Sequence, residues 1–280
     1  MTELQTLSLE EKEKLLVKQL SKLDSVIVAY SGGVDSSVLA YYARQLLGDK
    51  AKVAIAVSAS LSHEDLEFAR KQAEDFHFDL IEVETSEIED PRYQKNDSSR
   101  CYICKSTMFS ELEDLARDFD IKYIAYGAIM DDMQDTRPGH RAAREHRVLS
   151  PLQQAGLEKL EIRILAERCR LPSWDRPQAA CLSSRLPMNE PVTVEKLSII
   201  EKSEAYLHSL GFKQLRVRHH GDLARIELEE SEIPRLSSNP ELMLQVAGRL
   251  REIGYKFVTL DLAGYRQGGA NLQVKNEKKD

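Results

Sequence analysis

Residues 26–40 read VIVAYSGGVDSSVLA, an apolar run that breaks into a turn of small and polar residues and then returns to helix formers. A short apolar run bounded by turn residues suits a buried parallel strand. A helix that starts directly after it leaves its first N–H groups without intrahelical acceptors, at the positive end of the helix dipole. Strand, Ser-Gly-Gly, helix is therefore an anion site. Gly32 and Gly33 let the backbone close on a phosphate with no Cβ in the way. Ser31, Ser36 and Ser37 add hydroxyl donors. Asp35 has the wrong sign for a phosphate and suits Mg²⁺ bridging phosphate oxygens. The Gly-Lys-Ser/Thr ending of a Walker A loop is missing. A plain glycine turn would require neither the acid nor the hydroxyls.

The rest of the first half alternates strand and helix. Strands are expected over 25–30, 52–59, 78–85 and 123–130, with helices at 36–48 (Gly48 closing it), 62–77 and 101–120, and a polar loop over 91–99. This order predicts an α/β fold, a doubly wound parallel sheet with helices on both faces. Ligands of such sheets bind beyond the carboxyl ends of the strands. After residue 150 the rhythm changes. A helix over 161–172 is stopped by Pro172, and 172–191 is a proline-rich, irregular stretch. Then come a helix, a strand pair, a helix and a strand. YLHSLGFKQLRV and RLREIGYKFVTL both run helix, Gly, aromatic, strand, which suggests a small α/β unit. The expected division is 1–187 for the nucleotide domain and 188–280 for a smaller C-terminal α/β domain for substrate binding or assembly.

The net charge of −7 argues against a dedicated nucleic-acid binder, although RPGHRAAREHR (137–147) is a local basic patch. The polar, helical start lacks the apolar core of a secretory signal, and no apolar run approaches membrane-spanning length. A cytoplasmic location and no membrane partner are expected, a setting where cysteines more often bind metal or react than pair. Of the four cysteines, Cys101 and Cys104 are three apart at a helix start, where residues share a face and thiol pKa falls. Cys181 lies in the proline-rich stretch, and Cys169 reads as a packed thiol. By spacing alone, Cys101, Cys104 and Cys181 are either three ligands of a [4Fe–4S] cluster or three unrelated thiols.

SGGVDSS resembles the pyrophosphate loop of the PP-loop ATPases. That resemblance implies cleavage of MgATP between the α and β phosphates and transfer of AMP to a carbonyl or carboxyl oxygen. It also implies adenine held by backbone groups near Val57 to Ser60, with Ser58 among them, and Gly127 close to the nucleotide. With RCYICK, YGAIMDDMQDTRPG, SPL, EIRILAE, ACLSSRLP, RVRHHGDLARIEL and GYKFVTLDLAGYRQG following in order, the chain resembles the LarE family over most of its length. These are ATP-dependent sulfur transferases that build the nickel-pincer nucleotide cofactor of lactate racemase. The resemblance implies adenylation of the carboxylates of pyridinium-3,5-biscarboxylic acid mononucleotide, then replacement of AMP by sulfur. One branch sacrifices the sulfur of the loop cysteine, here Cys181. Another, which this chain matches at Cys101, Cys104 and Cys181, binds a [4Fe–4S] cluster carrying an extra sulfide and draws on a sulfide donor. Homo-oligomers are also implied.

Further candidates come from the residues themselves. Lys105 either reaches the phosphates and the developing charge or is a solvated helix lysine. Asp131, Asp132 and Asp135 follow the fourth strand, to hold Mg²⁺, orient substrate or cap a helix. Arg216 and Arg218 share a strand face, with Glu227 on the partner strand: either a clamp for the substrate phosphate or a salt-bridge ladder. Arg185 is a candidate to hold a carboxylate near Cys181. His219 and His220 are adjacent on a strand and so are poor co-ligands. The runner-up function is a cluster-dependent tRNA thiolation enzyme, disfavoured by the acidic charge. A nucleotide-binding regulatory module would not need Asp35, three cysteines and paired arginines.

Overall fold

The computed structural model describes residues 6–134, 138–177 and 180–266. In chain order the elements are α1 (Leu9–Leu20), β1 (Val26–Tyr30), α2 (Val34–Leu47), β2 (Ala51–Val57), α3 (His63–Asp75), β3 (Asp79–Glu84), α4 (Pro91–Gln94), α5 (Arg100–Asp118) and β4 (Tyr123–Tyr126). They continue as α6 (Pro138–Glu145), α7 (Pro151–Gln154), α8 (Lys159–Arg168), α9 (Val194–Ser209), β5 (Leu215–His220), β6 (Leu223–Leu228), α10 (Ile233–Ser237), α11 (Pro240–Ile253) and β7 (Phe257–Leu260). None of the described helices is long and apolar enough to cross a membrane.

The chain forms two compact units. The first falls within Met1–Ser58, His63–Glu87 and Ser99–Ala179, the second within Ala59–Ser62, Ile88–Ser98 and Ala180–Asp280.

In the first unit β1 to β4 form a parallel sheet in the order β3-β2-β1-β4. The chain steps outward from β1 to β3 and then returns to the other side of β1. The strand order therefore reverses at the carboxyl ends of β1 and β4, where ligands of doubly wound sheets bind. All five residues of β1 are buried, as a central strand covered on both faces requires. Against one face, Ile27, Ala29, Ala54 and Ile124 pack with Phe109, Leu112 and Ala116 of α5 and Ala142 and Ala143 of α6. Also in this unit, α2 packs on β1 and β2, and α1 and α8 pack on α2. α2 ends at Gly48, whose φ of 57° is open to a residue without Cβ.

The structure departs from expectation in several places. β4 stops at Tyr126, four residues short, and Gly127 directly after it packs against the first turn of α2 (below). The 91–99 loop contains α4, which Asp90 caps by accepting from Arg92 N–H at 2.8 Å and Pro91 starts. The basic stretch folds as α6 with its alanines against α5. Its first residue, Arg137, lies outside the described residues.

In the second unit β5 and β6 are an antiparallel pair and β7 joins β6 in parallel. The repeat seen in the sequence is physical. α9 leads through Gly211 to buried Phe212 and β5, and α11 through Gly254 to buried Tyr255 and β7. Both glycines have positive φ, 88° and 144°, which lets each helix stop within one residue. Phe212 and Tyr255 sit in one core with Leu215, Val217, Ile226 and Leu250.

Candidate active site

The turn after β1 is built for close approach. Gly32 has φ 71°, and a Cβ there would lie 3.0 Å from Ala69 Cβ on α3. Gly33 is the N-cap of α2 and supplies no capping side chain, so no side chain at that cap accepts from the first N–H groups of the helix. The Ser31 and Ser36 hydroxyls lie 3.1 Å apart, and Ser36 Oγ accepts from Ser31 N–H at 3.2 Å. Ser36 and Ser37 both donate to the Gly33 carbonyl, at 3.0 and 2.8 Å. Ser37 is fully buried and also accepts from Gln72 Nε2 at 2.7 Å. Its hydroxyl is spent on holding the turn, while Ser31 is exposed. A Cβ on Gly127 would stand 2.8 Å from Ser36 N and 3.0 Å from Asp35 C, so β4 delivers its glycine directly onto the first turn of α2. Ser58 lies just past β2 and is half-buried.

Asp35, the second residue of α2, is paired with a residue that sequence reasoning missed. Lys159 Nζ donates to both carboxylate oxygens, at 2.7 and 2.6 Å. Lys159 is the first residue of α8, where a cation opposes the helix dipole. That unfavourable placement is the one sequence signal pointing to an acidic partner. Asp131 meets the same helix end by accepting from Lys159 N–H at 2.9 Å, so it acts as a helix-terminal cap. Asp132 accepts from Ile129 N–H at 3.0 Å. Burial holds the Asp35 carboxyl above the usual carboxylate range, Lys159 opposes this, and the Asp132 charge adds to it. Asp135 lies outside the described residues. Two further cations in this unit escaped notice. Arg163, one turn along α8, donates to the Trp174 and Arg176 carbonyls. Arg176 pairs with Asp65 at 2.9 Å and keeps Nη1 buried without a hydrogen-bond partner among the described residues.

Cys101 and Cys104 lie in the first turns of α5, neither in a disulfide, Cys101 exposed and Cys104 half-buried. Cys104 Sγ donates to Glu87 Oε1 at 3.9 Å, and Glu87 is buried with Oε2 unpartnered among the described residues. Lys105 lies 5.9 Å over the Phe109 ring and 4.0 Å from Met108 Sδ, against Gly139 of α6. No hydrogen bond or ion pair among the described residues links it to the turn. Cys169 is the C-cap of α8, half-buried beside Tyr41 and Tyr42, as a packed thiol should be. Among the described residues, no three His, Cys, Asp or Glu side chains are grouped to hold a metal ion.

In the second unit Cys181 is exposed, directly before a 3-10 turn over Leu182–Arg185. Arg185 does not present its guanidinium to a ligand. It is buried against Glu204, with Nε–Oε1 at 3.0 Å and Nη2–Oε2 at 2.8 Å. Its Nη1 donates to the carbonyls of Ala180 and Cys181, at 2.6 and 3.1 Å. Leu182 N–H is bonded to Ser60 O at 2.8 Å, and the buried hydroxyls of Ser60, Tyr93 and Ser183 form a mutual cluster beneath. These contacts fix the backbone of the cysteine.

Arg216 and Arg218 alternate on β5 as expected. Glu227, opposite Arg216 in register, accepts instead from Arg218, at 3.0 Å, and pairs with Arg225 at 3.1 Å. All of Arg216, Arg218 and Glu227 are buried, so this is not a surface ladder. Arg216 donates to its neighbour's carbonyl, Leu215 O, at 2.6 Å and stacks 5.3 Å over Tyr265. Burial, then repulsion from Arg185, lowers its pKa. His219 is buried and His220 exposed, on opposite faces as their adjacency demands.

A family model described as NAD synthase matches residues 8–108. An uncharacterised protein of Synechocystis sp. is 41% identical over 263 residues, 94% of this chain and 98% of that protein. A pyridinium-3,5-bisthiocarboxylic acid mononucleotide synthase of Lactiplantibacillus plantarum is 33% identical over 265 residues, 94% of this chain and 95% of its own. An uncharacterised protein of Methanocaldococcus jannaschii is 27% identical over 255 residues, 91% and 96% of the two chains.

Proposed function

The chain belongs to the LarE family of pyridinium-3,5-bisthiocarboxylic acid mononucleotide synthases, and from that premise we propose that it converts carboxylates of pyridinium-3,5-biscarboxylic acid mononucleotide into thiocarboxylates at the expense of ATP. The observation that carries this reading is the end-to-end identity with the Lactiplantibacillus plantarum synthase. The turn at 31–37 supports it, being an anion site at the switch point of the sheet.

A carboxylate is a poor electrophile, so the reaction proceeds in two displacements. A substrate carboxylate oxygen attacks the α-phosphorus of ATP and pyrophosphate leaves. A sulfur nucleophile then attacks the acyl carbon and AMP leaves with the carboxylate oxygen. The N–H groups at the start of α2, with Ser31, hold the departing pyrophosphate by preorganised donors. Ser36, Ser37, Gly32 and Gly127 keep that turn tight, and Ser58 lies where adenine would be held by backbone. Asp35 already binds a cation, the Lys159 ammonium, so its carboxylate fits Mg²⁺, which would neutralise phosphate charge there. Arg216 and Arg218 hold the substrate phosphate.

Cys101, Cys104 and Cys181 are the thiols that the family pattern offers to a [4Fe–4S] cluster, which would supply inorganic sulfur; three thiols are the right donor set, although no three such side chains are grouped to hold a metal ion among the described residues. The alternative source is the Cys181 sulfur itself, and the two differ in the protein left behind. Incubation with MgATP, the biscarboxylic nucleotide and sulfide, followed by mass spectrometry of both nucleotide and protein, tests the function. The nucleotide should exchange oxygen for sulfur, and the protein mass should be unchanged. A product without sulfur would refute the function. A protein lighter by one sulfur and two hydrogens would assign the sulfur to Cys181.

A further inference from the structure

α8 brings two cations, Lys159 and Arg163, into the electrostatic surroundings of Asp35, and they are held differently. Arg163 is tied by two backbone carbonyls, those of Trp174 and Arg176. The Lys159 ammonium bonds, among the described residues, to Asp35 alone. Both partners of this pair are partly exposed, 36% of the Lys159 side chain and 27% of that of Asp35. The ammonium contacts both carboxylate oxygens almost equally, so it takes up the full face of the acid.

We propose that Lys159 is an exchangeable counter-ion, which neutralises Asp35 in the nucleotide-free protein and passes to the phosphate oxygens when a divalent cation takes its place. The proposal rests on the reading of the 31–37 turn as a nucleotide site, and not on sulfur transfer. Three observations carry it. The charge of Asp132 acts on Asp35, and the Lys159 ammonium bonded to both its oxygens offsets that charge. A lysine at the first position of a helix is placed against the dipole, so it gains from leaving Asp35 only if another anion is at hand. The start of α2 is that anion's site, one residue from Asp35, within the sweep of a four-carbon side chain. The guanidinium of Arg163, fixed by its carbonyls, cannot make the same move.

The test uses Mn²⁺ and inorganic pyrophosphate as probes. With Lys159→Met, nucleotide-free protein should bind Mn²⁺ about tenfold or more tightly than wild type by electron paramagnetic resonance, because the competing cation is gone. The same variant should bind pyrophosphate about tenfold more weakly by calorimetry. Unchanged or weaker Mn²⁺ binding would overturn the exchange. A second measurement needs no variant. Acylation of Lys159 in wild type, read by peptide mass spectrometry, should speed up on adding Mn²⁺ and slow again on adding Mn²⁺ with pyrophosphate. A rate indifferent to Mn²⁺ would also overturn it. Neither probe needs the pyridinium nucleotide or sulfide. Loss of these effects with sulfur transfer intact refutes Lys159 exchange alone, and the converse refutes the substrate assignment alone.

Discussion

Arg185 and Glu204 form a two-pronged ion pair inside the second unit, with oxygens and nitrogens 2.8 and 3.0 Å apart and both side chains less than a tenth exposed. Glu204 also accepts from Val217 N–H at 2.8 Å, and Arg185 holds the carbonyls on either side of the Ala180–Cys181 link. Breaking a buried pair on one side leaves an uncompensated charge. Arg185→Met should therefore cost about 3–5 kcal/mol in urea unfolding. Arg216, on β5 of the same unit, donates to the Leu215 carbonyl and stacks over Tyr265. Arg216→Ala should raise KM for the pyridinium nucleotide with less effect on that for ATP. An equal rise in both would refute its role as a substrate clamp.

Gly127 touches the first turn of α2 so closely that an added methyl group would lie 2.8 Å from Ser36 N, a backbone atom that cannot swing away. Gly127→Ala should lower stability by about 1–3 kcal/mol through overpacking. It should also raise KM for ATP, because the helix start that holds phosphate is displaced. Thermal unfolding and pyrophosphate-release kinetics measure the two effects. An unaltered KM would mean that the turn tolerates the shift.

Asp35→Asn should reduce pyrophosphate release by about a hundredfold or more, the scale on which one preorganised charge-stabilising group counts. Undiminished release would remove Asp35 from the metal role. Cys181→Ser should leave pyrophosphate release intact while abolishing thiocarboxylate formation. If pyrophosphate release fails first, Cys181 is structural.

His219 is buried against Tyr255, its Nδ1 3.2 Å from the hydroxyl, and burial lowers its pKa. The unfolded chain therefore binds a proton there that the folded chain refuses. Stability from this group is complete above the unfolded histidine value, near 6.5. It is lost as pH falls from that value toward the lower folded one. The urea midpoint of wild type should fall over that range, and His219→Gln should flatten the slope. Identical slopes would place the titration elsewhere.

The sheet and the phosphate turn were legible because both are local. Five apolar residues in a row fix β1, and the Ser-Gly-Gly-Val-Asp run after them fixes the helix start. The helix–glycine–aromatic–strand repeat was legible for the same reason. Lys159 was not, because 124 residues separate it from Asp35 and only the packing of α8 on α2 joins them. Arg176 likewise meets Asp65 across the chain. The ion pair of Arg185 is not legible either, because CLSSR does not reveal that Glu204, nineteen residues on, takes its guanidinium. Gly127 was expected at the nucleotide, and the structure adds the contact that forbids a side chain there.

The central claim is that a substrate carboxylate is adenylated at the turn after β1 before sulfur arrives. It is tested most directly by following heavy oxygen placed in the carboxylates of pyridinium-3,5-biscarboxylic acid mononucleotide through a single turnover with MgATP and sulfide. One heavy oxygen should appear in the phosphate of AMP for each sulfur gained by the nucleotide, with pyrophosphate unlabelled. Label released to water or found in pyrophosphate, or ADP formed in place of AMP, would contradict it.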